Sequence, residues 1–349
     1  MNVIAAILTF SLIVMFHELG HFLVAKACGI GVTEFAIGMG PKIISMQRGQ
    51  TRYSLRLLPF GGFCQMVGED EANSDPSAFC NKPVLARIAV VFAGPLFNFI
   101  MAFLFSLVLV WNNGYTNAFV EKVWDSAPAQ EAGLQAGDRI EKINGHKVHS
   151  YHDVQLYMMI YGDQEVTVTY ERADESGNSV SGKTTIVPAY SEEMQSYWLG
   201  IQFRNEWYKI KNPVELVREA TYEVEYYTTY VFDSLYMMTH RQVGLNDLSG
   251  PVGIVSAIDQ TVDEVSEYGM SAVLLTLMEF AVLLSANLGV MNLLPIPALD
   301  GGRLLFLLIE LIRRKPIDRD KEGMVHLAGM ALLMALMVFV LFNDVRKLF

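Results

Sequence analysis

The chain has 349 residues, 52% of them hydrophobic, with a formal net charge of −11 and a mean hydropathy of +0.29. That is too apolar for an ordinary soluble domain of this size. The acidic balance, with no basic patch interleaved with aromatics, excludes nucleic acid as a partner.

The first element is an apolar stretch, residues 2–28. No charged side chain occurs from Asn2 to Phe16; then His17-Glu18-Leu19-Gly20-His21 interrupts it, and Phe22-Leu23-Val24-Ala25 resumes the run. On a helix, positions i and i+4 share a face, so both imidazoles point at one spot and can ligate one zinc ion. Glu18 sits beside them as the candidate general base. An ionisable cluster at membrane depth is costly and marks a functional site. Two plainer alternatives are a signal peptide cleaved near Ala25-Lys26-Ala27 and a buried histidine pair without metal. Against the first, no basic region precedes the apolar run, and cleavage would discard the motif.

Four segments are long enough to span a bilayer, roughly 2–28, 86–111, 272–291 and 326–342. The loop 29–85 carries Lys42, Arg48, Arg52, Arg56 and Lys82, and the stretch after the third span carries Arg303, Arg313, Arg314, Lys315, Arg319 and Lys321. By the positive-inside rule both are cytoplasmic. Residues 112–271 hold 24 acidic and 11 basic side chains, which places them outside, with both termini. Arg346 and Lys347 run against that orientation. Cys28, Cys64 and Cys80 fall in or beside the cytoplasmic loop and match neither a zinc motif nor a disulfide framework. Asp70–Asn81 reads as a polar loop and Ala173–Lys183 as a hairpin turn.

A zinc site of this kind needs a third protein ligand and an open position for water. The third span ends in Asn287-Leu288-Gly289-Val290-Met291-Asn292-Leu293-Leu294-Pro295-Ile296-Pro297-Ala298-Leu299-Asp300-Gly301-Gly302. The prolines break the helix, which at membrane depth is tolerated only beside protein or a water cavity. Asp300 offers a carboxylate; its alternative role is to cap the helix 301–313.

Together, His17-Glu18-Leu19-Gly20-His21 and Asn292-x-x-Pro295-x-Pro297-x-Leu299-Asp300-Gly301 resemble the site-2 protease family of intramembrane zinc metalloproteases. The bacterial branch with the regulator of sigma-E protease is the nearer match. Gly94-Pro95-x-x-Asn98 is similar to that family's GPxxN signature, and Leu248-Ser249-Gly250-Pro251-Val252-Gly253-Ile254 to a segment preceding its third span. Residues 38–68, with Leu58-Pro59-Phe60-Gly61-Gly62-Phe63, resemble its membrane-dipping β-hairpin. The resemblance implies one Zn2+ per chain on His17, His21 and Asp300, Glu18 as the catalytic base, and Asn287 and Asn292 near the substrate backbone or oxyanion. Cobalt or iron would fit the same donors.

Ser126-Ala127-Pro128-Ala129-x-x-Ala132-Gly133-Leu134-x-x-Gly137-Asp138-x-Ile140-x-x-Ile143-Asn144-Gly145 resembles the middle of a bacterial PDZ domain, and one such domain is expected at 115–190. A PDZ groove accepts an extended peptide or a C-terminus as an added strand; a size filter is the other role. The Tyr- and Met-rich stretch 205–245 reads as a helix along the membrane surface or as packing against that domain.

The expectation is a multi-pass α-helical membrane protein with about four transmembrane helices and a zinc site in the membrane. It carries one inserted extracytoplasmic PDZ domain (α+β) and a membrane-associated β-hairpin. Its parts are 1–28 (first span), 29–85 (cytoplasmic loop with the hairpin), 86–111 (second span), 115–190 (PDZ domain), 191–271 (interfacial region), 272–313 (third span and following helix) and 326–346 (fourth span). The resemblance implies a bacterial inner or plasma membrane location. The expected partners are the lipid bilayer, pre-trimmed single-span membrane protein substrates such as anti-sigma factors or signal-peptide remnants, and a peptide at the PDZ groove. The intact Glu18 and Asp300 disfavour a non-catalytic adaptor, and the PDZ domain disfavours a zinc transporter.

Overall fold

The computed structural model describes residues 2–69, 73–174, 176–192, 196–244 and 249–347. Part of the polar loop at 70–81, one residue of the 173–183 turn and Leu248 lie outside them. In chain order the elements are α1 (Asn2–Ala27), β1 (Val32–Arg48), β2 (Thr51–Met66), α2 (Val84–Asn113), β3 (Val120–Val123), α3 (Pro128–Glu131), β4 (Arg139–Ile143), β5 (His146–Lys147) and α4 (Tyr151–Tyr161). There follow β6 (Val166–Ala173), β7 (Ser179–Ile186), β8 (Ala189–Ser191), β9 (Ser196–Trp198), β10 (Ile201–Phe203), α5 (Pro213–Thr239), α6 (Pro251–Ser266), α7 (Met270–Leu293), α8 (Asp300–Arg313) and α9 (Arg319–Lys347). The chain divides into two compact units, Met1–Ser106 with His240–Phe349, and Leu107–Thr239.

Among the described residues, four helices are long and apolar enough to cross a membrane: Val3–Ala27, Val84–Asn113, Met270–Leu293 and Asp320–Lys347. α9 begins before the apolar run at His326, because Asp320 and Glu322 fall in its first turn, where acidic side chains are favoured, and Lys321 is a good helix former. α1 ends where Gly29, at φ 67°, turns the chain and Ile30 N–H reaches back to the Ala25 carbonyl.

β1 and β2 are each used twice. Residues 32–37 pair with 62–66, residues 42–48 pair with 51–56, and 34–37 also lie beside 52–55. Pro41 and Pro59 fall where the pairing is interrupted, since proline cannot donate to a ladder. Inside this small sheet Glu34 is buried and accepts from Ser54 Oγ at 2.5 Å, Arg56 Nη2 at 2.8 Å and Lys42 Nζ at 2.9 Å. Phe35, Cys64 and Met66 pack with Ala25, Val90 and Leu304, so the sheet, α1, α2 and α8 share a core.

The second unit holds a four-stranded sheet in the order β5-β4-β6-β7 and the separate pairs β10-β3 and β8-β9. Its core is Val120, Ile140, Ile143, Val166, Val168 and Ile186, with Val154 and Met158 of α4 laid over it. The partner of β3 is β10, beyond residue 190. Three residues are too short a strand to show an alternating pattern. Tyr222 of α5 stacks on His149 at a 3.6 Å centroid distance, and Tyr161 of α4 hydrogen-bonds Asp233. At these positions the aromatic run packs on α4.

Candidate metal centre

The centre is built where α1 and α2 touch. Gly20 lies against the Ala93 carbonyl so closely that a β-carbon would collide with it. Gly94 likewise gives its side-chain space to the two imidazoles, with His17 Cε1 2.8 Å from where its β-carbon would stand. The third contribution comes from α8. After α7 the chain runs through Pro295 and Pro297, with Ala298 at φ 74°, and α8 starts at Asp300. Gly301 and Gly302 let α8 begin against the carbonyls of Leu294 and Ile296. The Ala298 N–H donates to His326 Nδ1 at 2.9 Å, and Arg87 on α2 pairs with Glu310 on α8. Leu299, not Asp300, is the capping residue, and no side-chain cap bond is made there. The Asp300 carboxylate is therefore left for another partner.

That partner site lies at the histidines. His17 Nε2 is 3.2 Å and His21 Nε2 3.3 Å from Asp300 Oδ2, and the two Nε2 atoms are 3.2 Å apart. One donor atom from each of the three residues lies within 4.8 Å of the others, and both histidines are buried. Asp300 Oδ2 is a buried oxygen with no hydrogen-bond partner among the described residues. A buried carboxylate oxygen beside two imidazole nitrogens is costly unless a proton or a metal cation is shared among them. Two nitrogens and one carboxylate, leaving a fourth position open, are a donor set that fits zinc.

Glu18 is half-buried on the same turn of α1, with its Cγ 3.7 Å from where a Gly62 β-carbon would stand. Asn287 is exposed on α7, and Asn292 is half-exposed near its end. Neither belongs to the His17, His21 and Asp300 group. The sequence reading missed the residues behind the imidazoles. His21 Nδ1 donates to the Val90 carbonyl at 2.9 Å. His17 Nδ1 faces Asn98 Nδ2 at 3.1 Å, and Ser285 Oγ donates to the Asn98 carbonyl at 2.9 Å. Asn98 lies in the GPxxN signature, and an amide buried in an apolar span was the available signal.

The family model for peptidase family M50 matches residues 5–336. A putative zinc metalloprotease of Clostridium acetobutylicum is 38% identical, covering 99% of this chain and 97% of its own. One of Clostridium perfringens is 36% identical, covering 99% and 98%. The regulator of sigma-W protease RasP of Bacillus subtilis is 33% identical, covering 100% of this chain and 99% of its own. By the near-complete family match and these full-length identities, the chain belongs to peptidase family M50, the site-2 proteases, and is a zinc metalloprotease.

Proposed function

We propose that the protein hydrolyses peptide bonds within transmembrane segments of pre-trimmed single-span membrane proteins. His17, His21 and Asp300 hold one Zn2+, and Glu18 is the general base. The observation that carries this is the unpartnered Asp300 Oδ2 facing two Nε2 atoms on a helix apolar enough to span a bilayer.

When bound, zinc supplies Lewis acidity toward a carbonyl oxygen and lowers the pKa of water to about 7. Glu18 takes the proton of the attacking water and passes it to the leaving amine nitrogen. The substrate helix has to unwind first, because its carbonyls are bonded within it. The edge of β2 beside Glu18 is suited to take up the unwound strand by strand addition. Asn287 and Asn292 are assigned to the substrate backbone or the oxyanion.

The β1–β2 sheet dips into the cytoplasmic face of the bilayer. Supporting this, Ile43, Ile44, Met46 and Leu57 are more than half exposed, while Glu34 is neutralised inside. Residues 115–190 form a PDZ domain on the extracytoplasmic side, with both termini outside and a bacterial cell membrane around the spans. A cavity of about 730 Å³ beside Tyr151 and Gln155 of α4 and Ile201–Phe203 of β10 suits an extended peptide or a C-terminus. Anti-sigma factors and signal-peptide remnants are the substrate classes proposed.

The test uses detergent-purified wild type and Glu18→Gln on a panel of single-span substrates, with and without a zinc chelator. Cleavage that needs both Glu18 and metal is the expected result. Cleavage by Glu18→Gln at the wild-type rate would remove Glu18 as the base.

A further inference from the structure

Between α7 and α8 the chain makes a tight turn just before Asp300. The Leu299 N–H donates to the Ile296 carbonyl at 3.2 Å, closing a four-residue turn over Pro297 and Ala298. Proline fixes the first central φ as negative, and Ala298 follows at φ 74°. That combination is a type II turn, whose third residue is normally glycine. Alanine in the left-handed region is strained and persists only where its surroundings hold it. The turn runs straight into α8, because the Gly302 and Arg303 N–H groups bond back to the Leu299 carbonyl at 3.1 and 3.3 Å. The shape of the turn therefore sets where the first residue of α8, Asp300, is aimed.

The hold comes from α9. The turn's own bond uses the Leu299 N–H, which leaves the Ala298 N–H to find its partner elsewhere. It donates to His326 Nδ1 at 2.9 Å, across 28 residues of chain. A backbone N–H only donates, so His326 Nδ1 is the acceptor. Three residues on, on the same face of α9, Gly329 meets the other central residue of the turn. A β-carbon there would stand 2.6 Å from the Pro297 carbonyl oxygen. Phe306 of α8 lies beside the His326 ring at a 5.6 Å centroid distance. α9 thus grips both central residues, Ala298 by a hydrogen bond and Pro297 by close packing.

Resting on the ligand set proposed above, we propose that His326 is a positioning residue for Asp300. By accepting from the Ala298 N–H it holds a left-handed alanine in the turn, and so aims the carboxylate two residues later at the imidazoles of His17 and His21. His326 is not itself in the metal-binding group. The proposal gives α9, the least buried of the four apolar helices, a part in building the centre.

Zinc affinity of the full chain in detergent, measured by competition with a chromophoric chelator, reads the proposal without recourse to activity. His326→Leu removes the acceptor and is expected to weaken zinc binding roughly 10-fold, the low end for residues that orient a ligand. His326→Asn places an oxygen where Nδ1 stands and is expected to bind zinc as wild type does. His326→Gln, whose amide lies one methylene further out, is expected to resemble His326→Leu. Glycine adopts a positive φ at no steric cost, so Ala298→Gly added to His326→Leu is expected to restore zinc binding. A role in packing α9 alone would give no such rescue, and a missing rescue would overturn the proposal. Wild-type affinity in His326→Leu would overturn it too. Should His326→Leu fail to fold, the other pair decides: equal affinity in His326→Asn and His326→Gln overturns the proposal. Wild-type zinc affinity in Asp300→Ala would instead overturn the ligand set, so the two failures are distinguishable.

Discussion

Gly94 gives its side-chain space to His21: a β-carbon there would overlap the imidazole and stand 2.8 Å from Cε1 of His17. The glycine is needed for close approach, not for an unusual backbone angle. Gly94→Ala must push α2 away or rotate the rings. Zinc affinity is expected to fall roughly 10–100-fold, the range seen when ligand orientation is disturbed. Metal per chain after desalting checks it; wild-type zinc retention would mean that α2 shifts at little cost.

His17, Glu18 and His21 were legible because their spacing is local and a helix converts it directly into a shared face. Asp300 was legible because two prolines and a carboxylate are out of place at the end of an apolar span. Asn98 and Val90 were not. They meet the histidines across 81 and 69 residues of chain, and a backbone carbonyl leaves no mark in the sequence. The double use of β1 and β2 was also hidden, since Gly38, Gly40, Gly61 and Gly62 break the alternation that sets register.

Asp138 is fully buried and accepts from Arg172 Nε at 2.6 Å, Arg172 Nη2 at 2.7 Å and Gln135 N–H at 2.8 Å. Removing the guanidinium leaves a buried carboxylate with one backbone donor. Arg172→Ala is expected to destabilise the 107–239 unit by about 3 kcal/mol. Arg172→Lys recovers only part of this, since an ammonium cannot make the forked pair. Limited proteolysis of the full chain checks it, with zinc content unchanged because the proposed metal ligands lie in the other unit.

Burial alone would raise the Glu34 carboxyl, but hydrogen bonds from Ser54, Lys42 and Arg56 outweigh it and hold the group at about 2, below the ordinary 4.5. A lowered value in the fold means that the stabilisation is complete above the unfolded value of 4.5 and is lost as pH falls toward 2. Amide exchange in β1 and β2 is therefore expected to quicken between those limits. Glu34→Gln, which cannot titrate, should flatten the response over that window. An unchanged pH profile in that variant would assign the acid sensitivity to another group.

Asp344 of α9 caps a helix other than its own. Its carboxylate accepts from the N–H groups of Gly250 and Gly253 at 2.9 Å each, at the start of α6, where Gly250 has no side chain to do so. α6 in turn buries Ile258 and Val262 against Ala6 of α1, the helix that carries the metal motif. Anions are favoured at a helix N-terminus, and loss of such a cap costs about 1 kcal/mol. Asp344→Ala should lower the stability of the first unit by that amount or somewhat more, because a buried and a half-buried N–H group lose their acceptor. Asp344→Asn should restore part of it through its remaining oxygen. Thermal unfolding in detergent compares the three proteins. An Asp344→Ala variant as stable as wild type would show that water reaches the start of α6 and takes over the cap.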